Sequence, residues 1–519
     1  MSGLCEPVQS LAALLRRRAE ESSDRGYTWL AQVEEVASRL TFADLDRRAR
    51  AIAASLAAAV PRGERVLLLY PPGLEFIAAF FGCLYAGVIA VPASPPHSRR
   101  PDPRLASIAG DCLPRAVLTT RTFLARREAL AAPVPALAGA LWLDTEPLRG
   151  DAAEPARTAR LERPEDTAFL QYTSGSTGTP KGVIVTHANL LDNLERIRVA
   201  FGQTPESVVV GWLPLFHDMG LIGNVLQPCF VGADCVLMSP AAFLQKPARW
   251  LQAIHRFRGT TSGGPNFAYD LCVRGVGPEV RAGLDLSSWS VAFNGAEPVR
   301  AETLRRFAEA FAPCGFRRAA FVPCYGLAEA TLLVTAARGA ADAPPVSCGA
   351  PSGGEVLVVD ESGRACAEGV VGEIWVAGPS VAAGYWNRPD ETHATFGATL
   401  REGHEPPLRY LRTGDLGFER GGELVITGRL KDLIILRGRN LYPQDIERTA
   451  EQAHPALRAG GGAAFSVEEQ GEERLIVVYE VERHPGGDLG EIADSVRRAI
   501  AEEHGVRVAG VALLRTGTV

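Results

Sequence analysis

Tyr172-Thr173-Ser174-Gly175-Ser176-Thr177-Gly178-Thr179-Pro180-Lys181-Gly182 follows an apolar run, Thr167–Tyr172, and a helical pattern opens soon after it at Thr186-His187-Ala188-Asn189. Two glycines free of Cβ let the backbone come close to an anion, and the clustered Ser and Thr hydroxyls with nearby amides can wrap phosphate oxygens. Lys181 adds a mobile positive charge. The stretch is not a Walker A loop, because no glycine stands immediately before Lys181 in the GxxxxGK[ST] spacing. Strand, glycine-rich anion loop, then helix is the grammar of an α/β protein.

Outward from this loop the same grammar repeats. Arg65–Tyr70 is a short apolar strand closed by Pro71 and Pro72. The apolar run Phe76–Val91 is interrupted by Gly82 and Gly87 and ends at Pro92, so it reads as a buried helix up to Ala86, a stop at Gly87 and a strand over Val88–Val91. Further apolar strands are expected at Ala116–Thr119, Ala140–Leu143, Val208–Trp212, Cys235–Met238, Trp289–Asn294 and Ala320–Val322. Continuous apolar strands alternating with helices indicate parallel sheet covered on both faces. Past about Ser347 the strands shorten or alternate, at Glu355–Asp360, Gly372–Ala377, Tyr410–Leu416 and Glu423–Thr427, which suggests a more antiparallel β unit. The expected fold class is α/β. A large N-terminal domain, residues 1–429, holds stacked α/β subdomains with mostly parallel sheets and a β-rich subdomain over about 347–429. A small α+β domain, 430–519, follows a boundary at Arg429–Asp432.

With 519 residues and a net charge of -6, the chain has the length for more than one domain and no basic bias toward nucleic acid. The ten cysteines form no CxxC pair and no zinc spacing, which points to buried, reduced thiols. Leu11–Leu15 runs directly into Arg16, Arg17 and Arg18 and reads as an amphipathic helix rather than a signal peptide. The run Phe76–Val91 is shorter than the roughly 20 apolar residues of a membrane span. A soluble, cytoplasmic protein is expected.

Several motifs then fall in a fixed order: the loop 172–182; Leu213-Pro214-Leu215-Phe216-His217-Asp218-Met219-Gly220; Gly264-Pro265-Asn266-Phe267-Ala268-Tyr269; Asn294-Gly295-Ala296-Glu297-Pro298-Val299; Tyr325-Gly326-Leu327-Ala328-Glu329-Ala330-Thr331; and Gly428-Arg429-Leu430-Lys431-Asp432-Leu433-Ile434, leading to Tyr442-Pro443-Gln444-Asp445-Ile446-Glu447. Together they resemble the acyl-adenylate-forming superfamily of acyl-CoA synthetases, adenylation domains and luciferases, and within it the fatty acyl-AMP ligases.

The resemblance implies roles that the residue chemistry fits. Thr173, Ser174, Gly175, Ser176, Thr177, Gly178 and Lys181 would cradle the triphosphate of ATP. Glu329 would hold its Mg²⁺, with the Thr173 hydroxyl nearby; Mg²⁺ favours one or two carboxylates plus phosphate oxygens. Asn294, Gly295, Ala296 and Glu297 would lie along base and ribose, with the Tyr325 ring, beside Gly326, offering its face to adenine. The Asp415 carboxylate can accept hydrogen bonds from both ribose hydroxyls, and Arg429 would reach ribose or phosphate. His217 would contact the carboxylate and phosphate of the reaction and gate the pocket. Met219, Gly264, Pro265 and Tyr269 are the expected acyl-tunnel residues, and Lys431 occupies the hinge position. The implied reaction is attack of a fatty acid's carboxylate on the α-phosphate of ATP, followed by transfer to a thiol. Positioning and charge neutralisation serve that step better than a protein nucleophile does.

Two features depart from the family. A second-domain lysine, in a Pro-Lys-Thr-x-x-Gly-Lys stretch beyond a strand like Val511–Leu514, is not reached before Arg515-Thr516-Gly517-Thr518-Val519; a cut chain, the first domain of a larger synthase, is the expectation. The insertion usual in fatty acyl-AMP ligases between the Glu329 motif and Ser347-Cys348-Gly349 is absent or much reduced. In the family that insertion accompanies refusal of coenzyme A. A carrier-protein phosphopantetheine is the expected acceptor. The alternatives are an acyl-CoA synthetase using free coenzyme A and a non-catalytic acyl/nucleotide-binding loading domain.

Overall fold

The computed structural model describes residues 8–32, 35–95, 102–148, 163–173, 179–339, 344–401, 407–436, 439–469, 472–482 and 488–518. Ser174, Gly175, Ser176, Thr177 and Gly178 lie outside the described residues, as do 340–343, within the stretch where the family's insertion was sought.

Two large sheets carry the N-terminal part. The first has six strands in the order Leu141–Asp144, Ala116–Thr119, Arg65–Leu69, Ile89–Ala93, Thr167–Thr173 and Lys181–Thr186. All pair in parallel except the last two, which are antiparallel. The second has eight strands in the order Leu333–Ala336, Phe321–Gly326, Val291–Asn294, Thr261–Gly263, Val208–Gly211, Asp234–Met238, Gly26–Gln32 and Glu35–Thr41. Its interior pairs are parallel, and one antiparallel strand closes each edge.

The apolar run divides as its glycines require. Leu74–Ala86 is a helix with every residue from Phe76 to Ala86 buried, and Gly87 ends it in the left-handed region at φ 65°. Ile89–Ala93 is the next strand. Phe80 on this helix meets Phe169 edge-on, ring centroids 5.7 Å apart, which fixes the helix against the strand leading into the glycine-rich loop.

The sequence reading passed straight from that loop to a helix. The structure inserts a strand, Lys181–Thr186, paired antiparallel with Thr167–Thr173 so that Thr173 faces Lys181. The helix does begin where expected: Thr186 caps His187–Phe201, its hydroxyl accepting from Asn189 N at 3.1 Å while Asn189 Oδ1 accepts from Thr186 N at 3.0 Å.

A smaller sheet orders Glu355–Val359, Gly372–Ala377, Leu411–Arg420 and Glu423–Arg429 as neighbours in chain order. The chain forms two compact units. One comprises Met1–Gly369, Trp375–Thr413 and Glu419–Val425, and the other Val370–Ile374, Gly414–Phe418 and Ile426–Val519. The second has its own core, with Ile446, Val477, Ile492, Val496 and Ile500 buried between the helices Pro443–Ala453 and Leu489–His504 and a three-stranded sheet. Among the described residues no helix is long and apolar enough to cross a membrane, and the nine described cysteines are free, seven of them buried.

Candidate active site

Four neighbouring strands of the eight-stranded sheet run parallel, so the segments after them emerge at one edge, where open α/β sheets hold ligands. Val208–Gly211 leads to Trp212–His217 and Thr261–Gly263 to Gly264 and Pro265. Val291–Asn294 leads to Gly295 and Ala296, and Phe321–Gly326 ends on Tyr325 and Gly326. Together they line a cavity of about 470 Å³ whose walls include Trp212, Phe267, Phe293 and Leu333. His217, Met219, Pro265, Gly295, Ala296, Tyr325 and Gly326 all border it.

The backbone here is shaped for close approach. A Cβ on Gly326 would lie 1.9 Å from the Leu332 carbonyl oxygen, and one on Gly220 would lie 2.1 Å from that of Pro214. Ala296 is held at φ 74°, a left-handed conformation a non-glycine residue adopts at a cost.

His217 is the N-cap residue of the short helix Asp218–Leu221, and the segment before it is tied down by Gln171 Nε2, which donates to Phe216 O at 3.0 Å. Burial, reinforced by Arg104, holds the imidazole pKa below its ordinary value, so the ring is neutral at pH 7. Burial pushes the neighbouring Asp218 acid upward, opposed by Met219 N–H, which donates to Asp218 Oδ1 at 2.7 Å.

A second group of charges sits between the two sheets' loops. Glu329 lies in the 3₁₀ turn Ala328–Ala330, three residues past Gly326. The buried Tyr385 donates its hydroxyl to Glu329 Oε1 at 2.9 Å. Lys181 stands over the same ring, 4.9 Å from its centroid, and pairs with Glu391. The segment holding Tyr385 is laced to the Lys181–Thr186 strand: Ile184 N donates to Gly384 O and Trp386 N to Gly182 O. Burial and the Glu329 charge raise the Tyr385 pKa, which keeps the phenol a donor. One ring thus bridges Lys181 and Glu329, two residues assigned separately from the sequence. Tyr385 and Glu391 were not anticipated: they lie about two hundred residues from Lys181, and no spacing rule links them.

Other assigned residues are placed differently. Tyr269 was expected in the acyl tunnel. It is fully buried and does not border the cavity: its hydroxyl donates to Phe293 O at 2.7 Å, and its ring packs among Trp250, Phe307 and Phe321. An apolar sequence pattern reads alike for core and tunnel. Gly264 is not among the cavity residues either, but a Cβ there would lie 2.6 Å from the Trp212 ring, so its smallness seats that wall. Asn294 and Glu297 flank the cavity residues Gly295 and Ala296, and their side chains brace the helix Asn266–Gly275. Asn294 Nδ2 donates to Asn266 Oδ1 at 3.1 Å, and Glu297 Oε1 accepts from Asn266 N at 2.9 Å. Thr173 ends its strand opposite Lys181. In the other unit, Arg429 Nε donates to the buried Asp415 at 3.1 Å, and Lys431 is exposed in the turn that follows.

The sequence profile of the AMP-binding enzyme family, described as AMP-binding enzyme, matches residues 15–386. The chain belongs to the AMP-binding enzyme family. Among its relatives in this family is the medium-chain-fatty-acid–acyl-carrier-protein ligase JamA of Moorena producens, 46% identical, the match covering 98% of this chain and 92% of JamA. The long-chain-fatty-acid–AMP ligase FadD32 of Mycolicibacterium smegmatis is 37% identical, with 98% and 91% covered. A fatty acyl-adenylate ligase from Legionella pneumophila, solved with acyl adenylate and pyrophosphate, is 40% identical and superposes with a TM-score of 0.77 over 98% of this chain and 93% of that one. The α/β architecture described above superposes on that of the solved ligase, and the family match spans both large sheets and ends at Trp386, beside Tyr385.

Proposed function

We propose that this AMP-binding enzyme is a fatty acyl-AMP ligase. It activates a fatty acid with ATP, releasing pyrophosphate, and then passes the acyl group to the phosphopantetheine thiol of an acyl carrier protein in the cytoplasm, in polyketide, nonribosomal peptide or lipid biosynthesis. The carrying observation is the apolar cavity that ends at His217 and Tyr325 on the carboxyl edge of the parallel sheet. An alkyl chain fills such a space while its carboxylate stays at the edge, near groups fit for phosphate. The fatty-acid ligase activities for which JamA and FadD32 are named support the same substrate class.

The roles follow from the chemistry of each group. The neutral His217 can donate its ring N–H to the carboxylate without adding a charge. Lys181, exchanging Glu391 for phosphate oxygens, neutralises the triphosphate. Asp415 and Arg429 serve the ribose side, and Lys431 is the hinge between two catalytic arrangements. Mg²⁺ fits as the partner of ATP rather than of a protein cage: among the described residues no three His, Cys, Asp or Glu side chains cluster, whereas Glu329 offers one carboxylate already oriented by the Tyr385 hydroxyl. Bound there, the ion supplies charge neutralisation at the phosphates.

The test is pyrophosphate release from ATP with saturated fatty acids, followed by acceptor competition. Thioester formed on holo carrier protein, with none on free coenzyme A, is the expected result. Thioester on coenzyme A alone would assign an acyl-CoA synthetase, which the shortened stretch between Thr331 and Ser347 would suit. Binding of ATP and acid without pyrophosphate release would leave a loading domain.

A further inference from the structure

The cavity has a floor, and the floor is polar. His217 follows the carboxyl end of strand Val208–Gly211, whereas Gln203 precedes its amino end, so the two stand at opposite edges of the sheet. A continuous helical run starts at Asp218, widens through a π-helical turn, Ile222–Leu226, and continues as Gln227–Val231. From Asp218 to Gln227 it descends ~14 Å. Gly220, Gly223 and Gln227 present one face of this run to the cavity. A Cβ on Gly223 would meet nothing within 4 Å, so that level is open space. One turn further, the space stops at an amide pair: Gln227 Nε2 donates to Gln203 Oε1 at 2.8 Å, with both side chains buried. Among the described residues Gln227 Oε1 has no hydrogen-bond partner.

Beyond the pair lies a second cavity of about 580 Å³, and Gln203 borders both. Its lining is mixed, with Leu14 and Phe230 beside the charged Arg17, Arg18, Glu195 and Arg198.

We propose that the Gln203–Gln227 pair determines specificity for acyl chain length, acting as the partition at which the ω-end of the longest accepted acid stops. The second cavity is space that a longer chain reaches only when the pair is removed. This rests on the reading of the first cavity as the acyl site. A chain one methylene too long must displace a buried, hydrogen-bonded amide pair, so the fall in kcat/KM beyond the limit is steep, about tenfold or more per methylene.

The test uses the full chain in a pyrophosphate-release assay over a series of saturated acids of increasing length. The wild type is expected to show a sharp limit. Gln203→Ala combined with Gln227→Ala removes both partners, so neither amide is orphaned; it is expected to move the limit to longer acids. Gln203→Met with Gln227→Met refills the volume and is expected to keep it. A limit unmoved in a double-alanine protein that still shows a cooperative melting transition overturns the proposal. Should that variant fail to fold, the wild type alone decides: an acid at the length limit bearing a terminal diazirine is irradiated with ATP present. Label on the peptides containing Gln203 or Gln227 supports the partition, and label confined to Leu244 or Phe267 overturns it. Absence of pyrophosphate release with every acid would instead remove the acyl-site reading itself, and the partition with it.

Discussion

Tyr385→Phe isolates one hydroxyl at the point where two functional groups meet. The phenol donates to Glu329 Oε1 at 2.9 Å from a ring that is only 8% exposed, so solvent offers little replacement. Phenylalanine keeps the ring under Lys181 and with it most of the cation–π attraction. What is lost is one hydrogen bond to a charged group, about 1.5–3 kcal/mol. If Glu329 grips the ion that accompanies the triphosphate, that loss appears as a roughly 10- to 100-fold rise in KM for Mg-ATP, with a parallel increase in the Mg²⁺ needed for half-maximal rate. KM for the fatty acid should hold, because Tyr385 does not border the acyl cavity. The assay is pyrophosphate release at saturating acid with ATP and Mg²⁺ varied independently, beside calorimetric titration of Mg-ATP onto the protein without acid. Tyr385→Leu, which also removes the ring face, should be worse by about 0.5–2 kcal/mol. A Tyr385→Phe enzyme with wild-type affinity for Mg-ATP and unchanged Mg²⁺ dependence would refute the assignment of Glu329 to the metal side.

Other outcomes follow from the site's neighbours. His217 is kept neutral by burial, so kcat/KM should stay flat from pH 7 through the ordinary imidazole value and fall only at more acidic pH; a rate still rising with pH above 7 would mean the ring is charged there and contradict the lowered pKa. His187 is buried with its pKa lowered to about 4 against an unfolded value near 6.5, and its Nδ1 accepts from Leu11 N at 3.3 Å. The unfolded chain takes up that proton first, so this stability is full above about pH 6.5 and drains by roughly 3 kcal/mol as pH falls toward 4; urea midpoints of wild type and His187→Asn across that range should converge on the acid side. Gly326→Ala places a Cβ against the Leu332 carbonyl at the cavity edge, and both melting temperature and pyrophosphate release should drop, with a loss of about 1–3 kcal/mol.

Much of the architecture was legible because it is written locally. Buried parallel strands such as Val208–Gly211 are apolar throughout, and Gly87 marks a helix end that only a left-handed residue provides. Gly26–Gln32 and the edge strand Glu35–Thr41 beside it were not anticipated. Glu35–Thr41 is exposed along most of its length, and its polar residues mask the strand period. Lys181–Thr186 escaped notice because its strand and the helix cap at Thr186 share residues. At the site, motif residues such as His217, Met219, Pro265, Gly295 and Tyr325 come together as their strand ends require. Tyr269 does not, because an apolar tunnel and an apolar core select the same side chains. The Tyr385 bridge and the Gln203–Gln227 floor arise from pairings across the tertiary structure, which a single chain read in order does not encode.

The central claim is that an apolar cavity and a phosphate-handling cluster in this chain together make an acyl adenylate. Mass spectrometry of the product mixture after incubation with ATP, Mg²⁺ and a pool of fatty acids measures it directly. Fatty acyl-AMP species, formed in amounts matched by pyrophosphate, are the expected result. ATP left intact with every acid in the pool, or AMP released with no acyl adduct or acid consumed, would contradict it.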